Sequence, residues 1–147
     1  MSHSYSKNYI HAVFSTKDRQ SLIPAEFEKR LYPLLAAIAR EHEIPLLAAG
    51  GMQDHSHLLF RLPASVSLAS AIGAFKANSS RFLHEQGLAF EWQSGYGAFS
   101  VSPSQLDKVM AYVSGQREHH TQMTYEQEFL ALLKKAGVEY DPQYVFG

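Results

Sequence analysis

The chain has no cysteine, which excludes both a disulfide framework and a thiolate metal site. It has no apolar run of the roughly 20 residues that a membrane-spanning helix requires. The stretch from Met1 to Lys7 lacks the apolar core of a signal peptide, so a cytoplasmic protein is expected, with no membrane partner. An excess of one charge is missing as well. Thirteen Lys and Arg face 14 Asp and Glu, for a net charge of -1. That is not the surplus of a generic duplex binder, whose affinity rests on Lys and Arg at phosphates. A local basic patch and stacking on unpaired bases remain open to it. There are no repeats, charge runs or low-complexity stretches. What is present is a 147-residue chain with 46% hydrophobic content, enough for one core and read as a single domain over 1–147.

The apolar spacing predicts an alternation of strands and helices. Tyr9 to Phe14 alternates as a first strand. A helix opens at Ser21 to Pro24 and runs to about His42, with Phe27, Leu31, Leu34, Leu35 and Ile38 on one face. Pro33 inside it predicts a kink or a late start. Ile44 to Ala49 is a second strand, Gly50 and Gly51 begin a turn, and His55 to Leu62 is a third strand. Leu68 to Glu85 is a second helix, Gly87 to Gly97 a loop, and Ala98 to Val101 a fourth strand. Thr124 to Gln127 has the form of a capping box, opening a last helix that ends near Gly137. The order β-α-β-β-α-β is the ferredoxin-like plan of an α+β fold, an antiparallel sheet with helices on one face, here with an added C-terminal helix that carries a tyrosine.

In the third strand, His55 and His57 are one residue apart and so point to the same face. Leu58, Phe60 and Leu62 alternate with them and should face the core. That leaves His55, His57 and Arg61 on the other side, with room for a ligand. Imidazole is the commonest side-chain ligand of catalytic divalent metals, although an isolated pair is more often two ordinary surface or hydrogen-bonded histidines.

Ser102 and Pro103 have the form of a helix N-cap and first helical residue. Leu106, Val109, Met110 and Val113 then follow at helical spacing as the buried stripe. Tyr112 and Gln116, four residues apart, share a face beside that stripe, with Lys108 one turn earlier. A tyrosine hydroxyl, with a pKa of about 10, is a poor nucleophile at neutral pH. It can attack phosphorus when a metal polarises a phosphoryl oxygen. Two imidazoles and an amide oxygen are neutral ligands that leave a divalent ion its full charge.

The histidine pair on a strand, followed by Tyr-x-x-x-Gln on a later helix, resembles the single-tyrosine HUH transposases of small bacterial insertion sequences and their domesticated, repeat-associated relatives. The resemblance extends over Gly50 to Leu59, Phe75 to Phe82, Trp92 to Val101 and Tyr112 to His120. It implies that His55, His57 and Gln116 hold a divalent metal, Mg²⁺ or Mn²⁺, and that Tyr112 is the nucleophile. It further implies cleavage and rejoining of single-stranded DNA through a 5′-phosphotyrosine, a hairpin as the recognised element, and a homodimer whose tyrosine helices complete the sites in trans. Ser56 stands where the family usually has a bulky apolar residue. Facing the core, its hydroxyl needs a partner, or costs about 1–3 kcal/mol.

Other residues divide between functional and structural readings. Lys76 and Arg81 flank Asn78, Ser79 and Ser80 on the second helix, either as a phosphate-binding edge or as a solvated face, and the resemblance favours Lys76. With Lys108 they make the candidate DNA contacts. Trp92 and Tyr96 could stack on unpaired bases, or Trp92 could fold back onto its own domain. His119 and His120 are secondary candidates for a metal ligand; His3, His11, His42 and His84 are assigned no role. A catalytically silent nucleic-acid-binding or repressor protein on the same fold is the competing reading. A two-histidine phosphoesterase would need two His-x-Ser/Thr motifs, and only His119 to Thr121 fits one.

Overall fold

The structure, a computed structural model, describes residues 3–116 and 123–147. Four strands form one antiparallel sheet: β1 (Asn8–Ser15), β2 (Leu46–Met52), β3 (His55–Leu62) and β4 (Gly97–Val101), in the spatial order β2-β3-β1-β4. Helices α1 (Ala25–Glu41) and α2 (Leu68–Glu85) follow β1 and β3, so the expected β-α-β-β-α-β order is present. Two further described helices are α3 (Leu106–Ser114) and α4 (Tyr125–Ala136). No helix among the described residues is long and apolar enough to cross a membrane.

Period-two alternation divides the strands between two faces. On the first, Ala12, Phe14, Leu58 and Phe60 pack with Leu31, Leu35 and Ile38 of α1 and Ala71, Ile72, Phe75 and Leu83 of α2. The spacing within each helix keeps these residues on one stripe. Pro24 precedes α1 as its N-cap, Glu26 and Glu28 occupy its first turn, and the helix runs through Pro33. The acidic first turn complements the helix dipole. The Ser67 side chain caps α2 by accepting from the Ser70 amide. Ser56 is fully buried on this face, with its hydroxyl 3.4 Å from that of Tyr32, the partner its position demanded.

On the second face, Val13 packs with Tyr125, Phe129 and Leu133 of α4. The capping box of α4 is formed: Thr124 accepts from the Gln127 amide and Gln127 accepts from the Thr124 amide. Gly137 ends the helix in the left-handed conformation, with φ of 70°. Helix α3 lies over β2, and a single 3₁₀ turn, Pro103–Gln105, precedes it.

Gly50 and Gly51 do not begin a turn; they continue β2, and the turn follows Met52. The physical reason is close approach, a common role of glycine within a strand. A Cβ on Gly50 would lie 2.2 Å from the Val113 carbonyl oxygen, and one on Gly51 would lie 2.2 Å from that of His55. Bare backbone on β2 is what allows α3 to settle onto the sheet. The expected buried stripe of α3 is also narrower than its spacing suggested. Val113 alone is fully covered, while Leu106, Val109 and Met110 remain half-exposed.

Candidate active site

His55 and His57 both project from β3 to the second face and are fully buried there. Register explains the placement: His57 lies opposite Val13 and His55 opposite Ser15, and Val13 belongs to the cluster under α4. The outer nitrogen of each ring is anchored. His55 Nδ1 is 2.7 Å from Asp54 Oδ1, and His57 Nδ1 is 2.8 Å from His11 Nε2. Both Nε2 atoms therefore turn inward. A ring that gives its Nε2 lone pair to a metal carries its proton on Nδ1, where Asp54 and His11 wait as acceptors.

Helix α3 brings Tyr112 to the pair from the side. Its ring lies edge-on to His57 and His11, with centroids 5.8 and 5.9 Å away. Gln116 is fully buried, with Oε1 3.4 Å from His55 Nε2 and its amide donating to the Tyr112 carbonyl oxygen at 3.1 Å. The four residues singled out in the sequence thus meet within one chain. Tyr112 packs on the histidines of its own chain.

Glu128 of α4 is a residue that sequence reasoning missed. It is 1% exposed, and its Oε1 lies 2.9 Å from His57 Nε2 and 3.5 Å from His55 Nε2. Its Oε2 accepts a hydrogen bond from the Tyr112 hydroxyl. A signal existed, because Tyr125, Glu128, Phe129 and Leu132 occupy one helical stripe and a carboxylate stands where an apolar residue would be expected. His11 carried a similar signal, as an imidazole two residues before Val13 in an otherwise apolar strand.

Burial and neighbouring charge set the protonation of this cluster. Burial, reinforced by His57, pushes the His11 pKa down to about 3. Burial works against a charged His55 too, but hydrogen bonds to Asp54 and Glu128 and their negative charges win, raising its pKa to about 9. Burial also opposes a charged Glu128, yet the hydrogen bonds from His55 and His57 hold it well below the usual carboxylate range. Burial and the adjacent Glu128 raise the Tyr112 hydroxyl above its ordinary value.

The donor set fits a divalent metal. Ligand atoms of His55, His57 and Glu128 all lie within 4.8 Å of one another. Imidazole nitrogen with carboxylate or amide oxygen suits ions such as Mn²⁺, and the oxygens suit Mg²⁺. A groove of about 740 Å³ opens beside this cluster between α3, α4 and β4, lined by Lys108, Val109, Tyr112, Glu128, Leu132 and Lys135 among others. Tyr125 does not line it: its ring packs 4.7 Å from that of His55.

The proposed DNA contacts separate. Lys108 is exposed at the groove. Arg81 is exposed, with its guanidinium on Asn78 Oδ1 at 2.8 Å. Lys76 donates to the carbonyl oxygens of Gln93 and Gly95, both at 2.8 Å, and so ties down the loop before β4. Trp92 is a correction to base stacking. It is 7% exposed, its ring meets Phe14 and Phe90 edge-on, and its Nε1 donates to Ser79 Oγ, so no open ring face remains for a base. His119 and His120 lie outside the described residues.

Residues 4–116 match the model of the family described as IS200-like transposases. The transposases of insertion sequence element IS200 from Salmonella typhimurium and Salmonella typhi are each 28% identical over 116 residues, covering 74% of this chain and 76% of theirs. A crystal structure from Deinococcus radiodurans R1, described as that of a candidate transposase, superposes with a TM-score of 0.62 at 21% identity, over 77% of this chain and 94% of that one. A REP-associated tyrosine transposase bound to a REP hairpin gives a TM-score of 0.58 at 16% identity, over 77% and 68%. With the matched segment reaching from before β1 through Gln116, and so including both histidines and Tyr112, the chain belongs to the IS200-like transposases.

Proposed function

We propose that this chain cleaves and rejoins single-stranded DNA, with Tyr112 as nucleophile and a hairpin as the recognised element. The observation that carries the proposal is the convergence of the Tyr112 ring, both histidine Nε2 atoms and Gln116 at the end of an open groove. His55, His57 and Gln116 would hold a divalent metal, which when bound would supply positive charge to polarise the phosphoryl oxygen. The tyrosine oxygen forms a bond to phosphorus as the bond from phosphorus to the 3′ oxygen breaks. The hydroxyl proton leaves the tyrosine and the departing 3′ oxygen gains one, giving a 5′-phosphotyrosine and a free 3′-hydroxyl. Attack by another 3′-hydroxyl reverses the step, and the phosphotyrosine conserves the bond energy meanwhile.

Several features support a single-stranded substrate. An in-line approach requires a flexible phosphodiester, which a regular duplex resists. The net charge of -1 gives little general attraction to duplex phosphates, whereas Lys108 and Lys135 concentrate positive charge at the groove. The fold is shared with a transposase solved on a hairpin. The resemblance also implies a homodimer. Mixing His57→Ala with Tyr112→Phe protein should restore some cleavage if the sites form in trans, and no rescue, with subunit exchange confirmed, would argue for sites formed within one chain.

The direct test is covalent capture. A hairpin-bearing strand labelled on the 3′ side of its cut should transfer the label to the protein, and peptide mass should place the adduct on Tyr112. Tyr112→Phe removes a single oxygen, so DNA binding should persist while the adduct disappears, a loss on the order of 10⁴-fold or more. An adduct on Tyr96 or Tyr125 would refute the assignment. Hairpin binding with no adduct in the wild type would leave the silent binding protein.

A further inference from the structure

We infer that Glu128 links the metal to the nucleophile: Oε1 is a metal ligand shared between the two histidines, and Oε2 positions the Tyr112 hydroxyl. The inference rests on the metal-assisted reading above and extends it to a residue beyond the segment, 4–116, that matches the family.

Two donors that share one ion at about 2.1 Å are separated by roughly 3.0 Å at a right angle and 3.4 Å at the tetrahedral angle. Glu128 Oε1 lies 2.9 Å from His57 Nε2 and 3.5 Å from His55 Nε2, so it meets this condition with both imidazoles. Gln116 Oε1 meets it with His55, at 3.4 Å. Two histidines and a carboxylate form a donor set well suited to a divalent ion with open positions for substrate. The carboxylate is anionic and 1% exposed, and a buried charge of that kind persists only against strong partners. Its partners here are the two imidazoles and the tyrosine hydroxyl. One carboxylate therefore bridges the metal donors and the nucleophile, carried there by α4 and met by Tyr112 of α3.

A different role would be that of a counter-ion for protonated histidines, and the two make opposite predictions. If Glu128 is a ligand, Glu128→Gln weakens metal binding. If it is a counter-ion, its removal frees the imidazoles, and metal affinity holds or rises.

Mn²⁺ titration by calorimetry, without DNA, decides between them, with each variant shown to fold by its circular dichroism melt. We expect Glu128→Gln to lose about 10–100-fold in Mn²⁺ affinity, at least the effect usual for groups that merely support a ligand. His57→Ala should lose as much or more. Unchanged or tighter Mn²⁺ binding by Glu128→Gln, alongside loss in His57→Ala, would overturn the ligand role and leave the metal reading standing. Unchanged binding in His57→Ala would bring down the metal reading itself. Should Glu128→Gln not fold, Mn²⁺ soaked into wild-type crystals should place anomalous density in bonding contact with Glu128, and density away from it would refute the inference. The tyrosine link is read at saturating Mn²⁺ on a single-stranded hairpin oligonucleotide that wild type cleaves. Glu128→Gln should remain at least tenfold slower, and full recovery of rate would overturn that link.

Discussion

The two faces of the sheet are equally buried and unlike in chemistry. Strand β3 shows the contrast within six residues: Leu58 and Phe60 point one way, His55 and His57 the other, and none of the four is exposed. On the first face burial stabilises directly, at about 1.5–3 kcal/mol for a large apolar side chain. On the second, burial costs free energy until each polar atom finds a partner. Among the described residues, no buried side-chain nitrogen or oxygen lacks one. The first face is thus a foundation that makes the second possible. The second holds imidazoles, a carboxylate and a phenol in one arrangement, at a cost the first face offsets.

The largest break in this comparison comes from substituting one residue on each side. His57→Ala should abolish strand cleavage, by a factor on the order of 10³ or more, because it removes a proposed metal ligand. Its melting temperature should fall less than that of Phe60→Ala. The latter should lose about 3–5 kcal/mol of stability, as buried phenylalanines do, while any folded fraction keeps its Mn²⁺ binding. Thermal melts and Mn²⁺ titrations on both proteins check the division. If His57→Ala melts as early as Phe60→Ala, the second face is part of the foundation and the contrast is wrong.

A subtler break uses Gly50. A methyl group there would meet the Val113 carbonyl oxygen at 2.2 Å, against backbone that has no rotamer with which to retreat. Gly50→Ala should push α3 away from β2 and carry Tyr112 from the histidines. The expected cost is about 1–3 kcal/mol of stability, as for other overpacked sites, together with at least a hundredfold loss of cleavage, since misplacement by an ångström can cost that much. The first face should keep its packing, visible as unchanged methyl resonances of Leu31, Leu35 and Ile72. Full activity in Gly50→Ala would mean that α3 is placed by other contacts.

The sequence made the first face and half of the second legible. The strand bounds of β3 and the helix bounds of α2 follow from periodicity, and the capping box and Gly137 mark α4 as it stands. His55, His57, Tyr112 and Gln116 are local patterns, a pair on a strand and a pair on a helix, and their spacing is read along the chain. Glu128 and His11 are different. Each gains its place from a contact made across the fold: α4 returning over β3, and β1 lying beside it. No local pattern states that contact. Gly50 was misread for a related reason, because a glycine pair signals a turn in isolation and close approach only once the approaching helix is known.

The smallest expected effect sharpens the boundary between core and DNA surface. Trp92 is held by Phe14, Phe90 and the Ser79 hydroxyl, all belonging to the first face or its rim. Trp92→Phe keeps an aromatic ring but gives up the Nε1 hydrogen bond and part of the buried area. The Ser79 hydroxyl still donates to the Phe75 carbonyl oxygen, so it is not left without a partner. The expected loss is about 1–2 kcal/mol, read from the denaturation midpoint. Binding of a hairpin-bearing strand at fixed salt should then stay within about twofold of wild type, whereas a base stacked on the larger indole would lose part of the roughly 1–3 kcal/mol that such stacking contributes. Tyr96, 41% exposed on the same loop, provides the control. Hairpin affinity that falls tenfold in Trp92→Phe, with the fold intact, would return Trp92 to the DNA surface and move the boundary between the two regions.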